Sequence, residues 1–329
     1  MHKPKILVVG SLVMDMITNT QVFPNSGETV LGKTFSTAPG GKGANQAVQA
    51  SLLGAEVTMV GKVGADSFGD TMIAFMNKAG VNTDHVLRNP DVSSAVGNII
   101  LESDGAGSAR NRIIVVPGAN MTITPEDLAF LKEDVANYDL VMLQFEIPME
   151  INVLVAGYAK AKGVPVMVNP APAAPIPDEL MACATYLSPN EHEAAAITGH
   201  PIRVEGGVNQ EDIRAVAGIM AQRGTKNLLV TLGENGAAIG SAERVTVMPS
   251  VPNVKAVDPT AAGDSFVAAF CTGVCSGLTE RQAIDFARNT AAITVSRPGA
   301  MPSLPSRQEV LAGLKLYGEK DFPHDLMTD

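Results

Sequence analysis

The chain predicts an α/β fold with a mostly parallel central sheet covered by helices on both faces. Three features predict it. Short apolar runs of strand length recur without polar alternation, amphipathic runs of helix length separate them, and Gly-rich turns stand where a strand would pass into a helix. In order, residues 6–9 read as the first strand, and 44–53 as a helix stopped by Gly54. A strand over 57–60 and a helix over 68–78 follow. The rhythm resumes with a strand over 140–143, a helix over 151–162, and strands over 166–169 and 184–188. A helix over 211–223, a strand over 228–231 and helices over 264–275 and 280–295 close the series.

Two segments, about 18–38 and 93–116, break this rhythm. They are long, polar and rich in Thr, Ser and Gly, with alternating pieces such as Asn98-Ile99-Ile100-Leu101 and Arg112-Ile113-Ile114-Val115. Such pieces do not serve as crossovers in the main sheet, and their β-branched content argues against plain loops. They read as strands of a small separate sheet. The tail after Leu316 is polar.

Composition narrows the function. A chain of 329 residues, 46% hydrophobic and 18% charged, has the size for one large α/β domain or two smaller ones, with a substantial core. Its net charge is −10 and it has no basic run, which excludes nucleic acid and anionic membrane as expected partners. The chain passes from Met1-His2-Lys3-Pro4 into an apolar run too short for a signal peptide or a membrane span, so a cytoplasmic location is expected. Cys271 and Cys275 stand four apart on one helix face without an accompanying His, so with Cys183 they are expected to be buried free thiols rather than metal ligands.

Two Gly-rich clusters carry the chemistry. In Val257-Asp258-Pro259-Thr260-Ala261-Ala262-Gly263-Asp264-Ser265-Phe266, small residues lead to a carboxylate and then to an apolar helical run. A helix start offers free amides and a dipole that attract anions, so Asp264 there suits a base that deprotonates a hydroxyl beside a phosphate. An Asp in a first turn also serves as an ordinary cap. The second cluster, Pro39-Gly40-Gly41-Lys42-Gly43-Ala44-Asn45-Gln46, lets backbone amides approach a ligand and adds a cation and a side-chain amide. Its spacing is not that of a GxxxxGK[ST] phosphate loop.

Together the clusters resemble the two signatures of the ribokinase branch of the PfkB carbohydrate kinases. The resemblance runs nearly end to end: Gly10-Ser11 with Asp15, Gly61-Lys62-Val63-Gly64 with Asp66, Pro117-Gly118-Ala119-Asn120, Gln144-Phe145-Glu146, Asn169-Pro170-Ala171-Pro172, Pro189-Asn190-Glu191 with Glu193, Thr231-Leu232-Gly233, and Arg297-Pro298-Gly299-Ala300. It implies a ribokinase-like α/β/α sandwich forming one kinase domain over 1–329. The two polar segments become a β-sheet lid over the sugar, often paired with the lid of a second subunit in a homodimer. The implied activity is ATP-dependent phosphorylation of the 5-hydroxyl of D-ribose, with Mg²⁺ on the nucleotide.

The resemblance also assigns residues. Asp264 matches the base, and Ala261, Ala262 and Gly263 match the anion hole. The sugar falls to Asp15, Gly41, Lys42, Gly43, Ala44, Asn45 and Glu146, with Val13 and Met14 beside them. Glu146 lies just past an apolar strand, where open α/β sheets place ligand groups. ATP falls to Asn190 and Glu193, to Thr231, Leu232, Gly233, Glu234, Asn235 and Gly236, and to Gly263 and Asp264. The adenine contact aligns with Arg288, or with Asn289 after a one-residue shift. A monovalent cation, K⁺, is implied at Asp258, Thr260, Thr294, Arg297, Gly299 and Ser303, mostly through backbone carbonyls. One residue departs from the pattern: Val13 stands where ribokinases carry Asn, and the related deoxyribokinases are also apolar there. That favours 2-deoxyribose as an alternative substrate, because valine cannot bond a hydroxyl. Other PfkB sugars, or a non-catalytic sugar or nucleotide sensor, are the remaining alternatives. Retention of Asp264, Gly263, Lys42 and Glu146 argues against the sensor.

Overall fold

The computed structural model describes residues 3–103 and 109–327. Strand β1 (Lys5–Val9) is followed by β2 (Val13–Thr20), β3 (Thr34–Gly40), α1 (Lys42–Leu52), β4 (Glu56–Gly64), α2 (Ser67–Lys78) and β5 (Asn82–Asn89). Next come β6 (Ala95–Ser103), β7 (Ala109–Val116), the short α3 (Leu131–Asp134), β8 (Leu140–Gln144), α4 (Met149–Ala161), β9 (Val166–Asn169), α5 (Asp178–Met181) and β10 (Tyr186–Leu187). The last part contains α6 (Glu191–Thr198), α7 (Gln210–Gln222), β11 (Asn227–Thr231), β12 (Ala237–Gly240), β13 (Val245–Met248), α8 (Ala262–Cys275), α9 (Glu280–Val295) and α10 (Arg307–Tyr317).

Nine strands form the main sheet in the order β13-β12-β11-β10-β9-β8-β1-β4-β5. The pairs from β11 through β5 are parallel, while β12 and β13 run antiparallel at one edge. Because both faces are covered, the central strands are apolar throughout instead of alternating. In β1, Ile6 and Val8 enter one core with Phe266 and Phe270 of α8 and Ile284 and Phe286 of α9. Leu7 and Val9 enter the other core with Ile151 and Val155 of α4 and Val216 of α7. The layers are therefore helix, sheet, helix, as the sequence predicts.

The predicted strands over 6–9, 57–60, 140–143, 166–169 and 228–231 are all present, and the helix over 280–295 matches α9 residue for residue. Three differences have physical causes. The strand over 184–188 contracts to two residues, because only Tyr186 and Leu187 pair with both neighbours. Strand β5 escapes sequence reading because its sequence, NTDHVLRN, is that of a half-exposed edge strand with a single buried residue, Val86. Helix α8 starts two residues before 264, since Ala261 takes the cap position in the left-handed region at φ 60°.

The small sheet has the order β3-β2-β6-β7. β2 pairs antiparallel with β3 and parallel with β6, and β7 closes the sheet antiparallel to β6. It begins earlier than the first segment, 18–38, suggests: β2 starts at Val13, so the candidate sugar residues Val13, Met14 and Asp15 sit on the small sheet itself. Residues 104–108 of the second segment lie outside the described residues. Of the three free cysteines Cys271 is buried, whereas Cys183 and Cys275 are half-buried, because these two sit in turn and last-turn positions. No helix among the described residues is long and apolar enough to cross a membrane.

Candidate active site

The site gathers where the carboxyl ends of β8, β9 and β11 face the starts of α1, α6 and α8. A cavity of about 210 Å³ there is lined by Lys42, Asn169, Ser188, Asn190, Glu193, Thr231, Ala261, Gly263 and Asp264. Asp264 lies in the first turn of α8 and is 7% exposed. One carboxylate oxygen, Oδ2, accepts the Asn45 side-chain amide at 2.9 Å, and Oδ1 accepts that of Gln46 at 3.1 Å. The turn before it is tight: the Ala262 amide donates to the Pro259 carbonyl at 3.2 Å. The next amides, Gly263 and Asp264, belong to the helix start, where no intrahelical acceptor exists and an anion is favoured.

Helix α1 begins at Lys42, two residues earlier than the predicted 44, so Lys42 occupies its first turn. Glu146, just past β8, caps that start from outside. Its Oε2 accepts the Lys42 backbone amide at 2.9 Å and the Ser11 hydroxyl at 2.5 Å. Gly43 is required by close approach, since a Cβ on it would lie 2.5 Å from the Ser11 nitrogen. Burial works against the Lys42 ammonium, yet the charges of Asp264, Glu146 and Glu193 outweigh it and hold the group above its ordinary value. That cation thus sits among three carboxylates of the site.

On the small sheet, Asp15 rests its carboxylate against Gly40 and Gly97. A Cβ on either would come within 2.7 or 2.6 Å of an Asp15 oxygen. Burial first, and then the charge of Glu146, push the Asp15 carboxyl up to about 7. Val13, buried at 5%, shares the Asp15 face of β2, with Cγ1 near Gly97. Met14 points the other way, into the core with Ala44. Of Met14, therefore, only the backbone is left to face a ligand, whereas the Val13 side chain stays on the Asp15 side.

Around the nucleotide candidates, Asn190 and Glu193 form a reciprocal cap at the start of α6, each bond 2.8 Å long. Burial pushes the Glu193 carboxyl up, against the Asn190 amide and the Lys42 charge. Thr231 ends β11 and pairs with Asn190, while Leu232 is buried. Gly233, Glu234, Asn235 and Gly236 form a short turn closed by a bond from the Leu232 amide to the Gly236 carbonyl. Arg288 is not brought to the cavity. Its guanidinium bonds to buried Asp285 at 2.5 Å, to the Tyr317 carbonyl at 2.8 Å and to the Pro249 carbonyl at 3.2 Å. Asn289 is 2% exposed and turns its amide back to the Asp285 carbonyl. Both side chains at the aligned adenine position thus have partners within the fold.

The cation candidates form a pair of facing loops. Asp258 accepts the Thr260 amide at 2.9 Å and its hydroxyl at 2.6 Å on one oxygen, and the Gly299 amide at 2.8 Å on the other. Burial raises the Asp258 carboxyl, but these three donors outweigh it and hold it below its ordinary range. Arg297 turns its guanidinium to Glu309, the Ser303 hydroxyl bonds to the Ala300 carbonyl, and the Thr294 carbonyl accepts the Arg297 amide. With the acid already satisfied, what this place offers is neutral backbone oxygens. Among the described residues, no group of three or more His, Cys, Asp or Glu could hold a metal unaided.

Four residues quoted in the motifs without a role prove central to the geometry: Ser11, Gln46, Gln144 and Asn169. The available signal is polar amides or hydroxyls within otherwise small or apolar runs, since buried polar side chains need partners. Gly61-Lys62-Val63-Gly64 with Asp66, and Pro117 to Asn120, are structural instead. Lys62 pairs with Asp127 at 2.6 Å, Asp66 caps α2, and the Asn120 side chain bonds both the amide and the carbonyl of Leu12.

Comparison with known proteins gives consistent matches. The family model described as pfkB family carbohydrate kinase matches residues 3–307. A ribokinase of Schizosaccharomyces pombe is 38% identical over 312 residues, which is 93% of this chain and 96% of the relative. A deoxyribokinase of Salmonella typhi is 35% identical over 305 residues, 92% of this chain and 96% of its own length. A structure of Arabidopsis thaliana ribokinase complexed with ribose and ATP superposes with a TM-score of 0.86 at 34% identity, covering 96% of this chain and 99% of that one.

Proposed function

The chain belongs to the pfkB family of carbohydrate kinases, and on that premise we propose that it transfers the γ-phosphoryl group of ATP to the 5-hydroxyl of D-ribose. The observation that carries this reading is Asp264. A carboxylate at an anion-attracting helix start, gripped by two side-chain amides and facing a cavity with Lys42, is equipped to take a hydroxyl proton beside a phosphate.

The sugar would lie between the small sheet and α1. Asp15 and Glu146 offer acceptors for paired hydroxyls, Asn45 offers its carbonyl oxygen, and the backbone at Gly41 and Gly43 allows close approach. Asp264 takes the proton as the hydroxyl oxygen bonds to the γ-phosphorus, and the bond from that phosphorus to the bridging oxygen breaks with ADP leaving. The Gly263 and Asp264 amides and the Lys42 ammonium then meet the charge on the transferring group. Thr231 to Gly236 would run beneath the nucleotide. Glu193 and Asn190 suit the magnesium-bearing phosphates, where bound Mg²⁺ supplies charge neutralisation; a carboxylate that burial raises gains from such a partner. Between the Asp258 and Gly299 loops, carbonyl oxygens suit K⁺, which would stiffen the turn before Asp264 when bound. The whole chain acts as one kinase unit, with the small sheet as its lid.

A second reading, 2-deoxyribose as acceptor, is favoured by Val13, a buried apolar residue on the Asp15 face of β2. Coupled measurement of ADP release over a panel of pentoses, hexoses and nucleosides tests both. Turnover with D-ribose well above other sugars supports the first reading, and a preference for deoxyribose supports the second. Absence of ADP release with any sugar would refute the kinase reading of this site.

A further inference from the structure

Asp264 is held by a chain of buried amides whose polarity is fixed at every link. Gln46, on α1 and 0% exposed, donates through Nε2 to Asp264 Oδ1 at 3.1 Å and to Asn169 Oδ1 at 3.1 Å. Its Oε1 accepts the Gln144 side-chain amide at 2.7 Å. Asn169 is itself oriented, since its amide donates to the Ser188 carbonyl at 2.7 Å. Turning the Gln46 amide over would aim its oxygen at a carboxylate and at a second carbonyl oxygen, and would set two amide donors face to face. One orientation alone satisfies the set.

We infer that Gln46 is a positioning residue for phosphoryl transfer, set by Gln144 and Asn169 so that Asp264 presents a fixed carboxylate to the acceptor hydroxyl. This inference rests on Asp264 being the base. Three strand ends take part: Gln144 closes β8, Asn169 closes β9, and Ser188 follows β10. The sheet thereby sets the rotation of a side chain on α8 through one amide on α1. The other charged groups facing Asp264 are Lys42 on α1 and Glu193 on α6. Neither touches Gln46 in the hydrogen-bond network described above. Asn45 holds the second carboxylate oxygen. Without Gln46 that single bond leaves the carboxylate free to rotate, and a near-attack geometry is lost in a fraction of encounters.

The test uses the full chain, three single variants and the double variant of Gln46→Met with Gln144→Met. Gln46→Met keeps the volume and removes the donor. Gln144→Met keeps Gln46 but removes one of the two partners that set its orientation. Asp264→Asn tests the base. Expected for Gln46→Met is a fall in kcat of about 10- to 100-fold, the scale of one charge-assisted bond, with KM for sugar and for ATP held within about threefold. Gln144→Met should lower kcat by a smaller factor. The double variant should be no worse than Gln46→Met alone, because both act through one amide. Thermal melting of each variant reports folding separately, and Gln144→Met keeps the idea testable if Gln46→Met fails to fold. Unchanged kcat in folded Gln46→Met or Gln144→Met, beside an inactive Asp264→Asn, would overturn the inference while leaving the base in place. Activity in Asp264→Asn would remove the base and the inference together. A fully additive double variant also counts against it.

Discussion

Lowering the pH from 8 to 6 should weaken sugar binding about tenfold through Asp15 alone. Its carboxyl is pushed up to about 7, chiefly by burial and further by the charge of Glu146. With a midpoint near 7, about nine-tenths of the groups are ionised at pH 8 and about one-tenth at pH 6, and apparent affinity scales with the competent fraction. Hydroxyls donate to the carboxylate, so binding favours the ionised form. Affinity therefore rises with pH up to about 7 and levels off above it. Folding carries the opposite sign: between the unfolded carboxyl range near 4 and about 7 the folded chain keeps a proton the unfolded chain has lost, so stability drains as pH climbs through that window. Calorimetric titration with ribose in the absence of nucleotide measures the effect without interference from phosphate ionisation. Asp15→Asn should bind more weakly and lose the pH dependence. Glu146→Gln should move the midpoint down but not to the ordinary carboxylate range, because burial is the larger cause. Pentose affinity that stays flat from pH 6 to 8 would refute the assignment of Asp15 to the hydroxyls.

Three further outcomes are expected. Activity should drop severalfold or more when potassium is exchanged for sodium, because the Asp258–Gly299 bridge holds the loop that leads to Asp264; equal rates in both salts would remove the cation from its role. Light scattering at micromolar concentration should give a homodimer, since the small sheet exposes Phe35, Ile114 and Val116, with Leu31 exposed on the β2–β3 connection, and has open edges at β3 and β7; Phe35→Asp with Ile114→Asp should then yield monomers. Val13→Asn should raise the kcat/KM ratio of ribose over deoxyribose by roughly 3- to 10-fold, the worth of one hydrogen bond that only ribose can complete. An unchanged ratio in folded enzyme would show that Val13 does not read the sugar.

The layered architecture was legible because both sheet faces are buried: a strand such as LVMLQ, with every residue buried, has no polar alternation to confuse it with an amphipathic element. The edges were not legible, for the same reason inverted. β5 borders solvent and reads as polar loop, and β12 is four residues of AAIG whose identity as a strand comes only from pairing with β11 and β13. The small sheet was legible as β-rich but misplaced. Val13 to Ile17 mixes apolar and acidic residues, and only its register against Gly40 and Ala95 assigns that stretch to β2.

The site divides along a different line. Backbone features that leave a residue-type signature, such as the small residues before Asp264 and the glycines around Lys42, announce themselves locally. Convergence does not. The two bonds that orient Asp264 span 219 and 218 positions, and the Ser11–Glu146 bond spans 135. No periodicity encodes such pairs, because each partner answers to its own strand or helix. Arg288 shows the reverse case. Alignment with a ligand contact says where a residue lies along α9, yet the side chain follows the strongest available acceptor. Here that acceptor is the fully buried Asp285. A carboxylate with no exposure needs a cation more than the cavity needs a donor, and the guanidinium goes where its loss would cost the fold most.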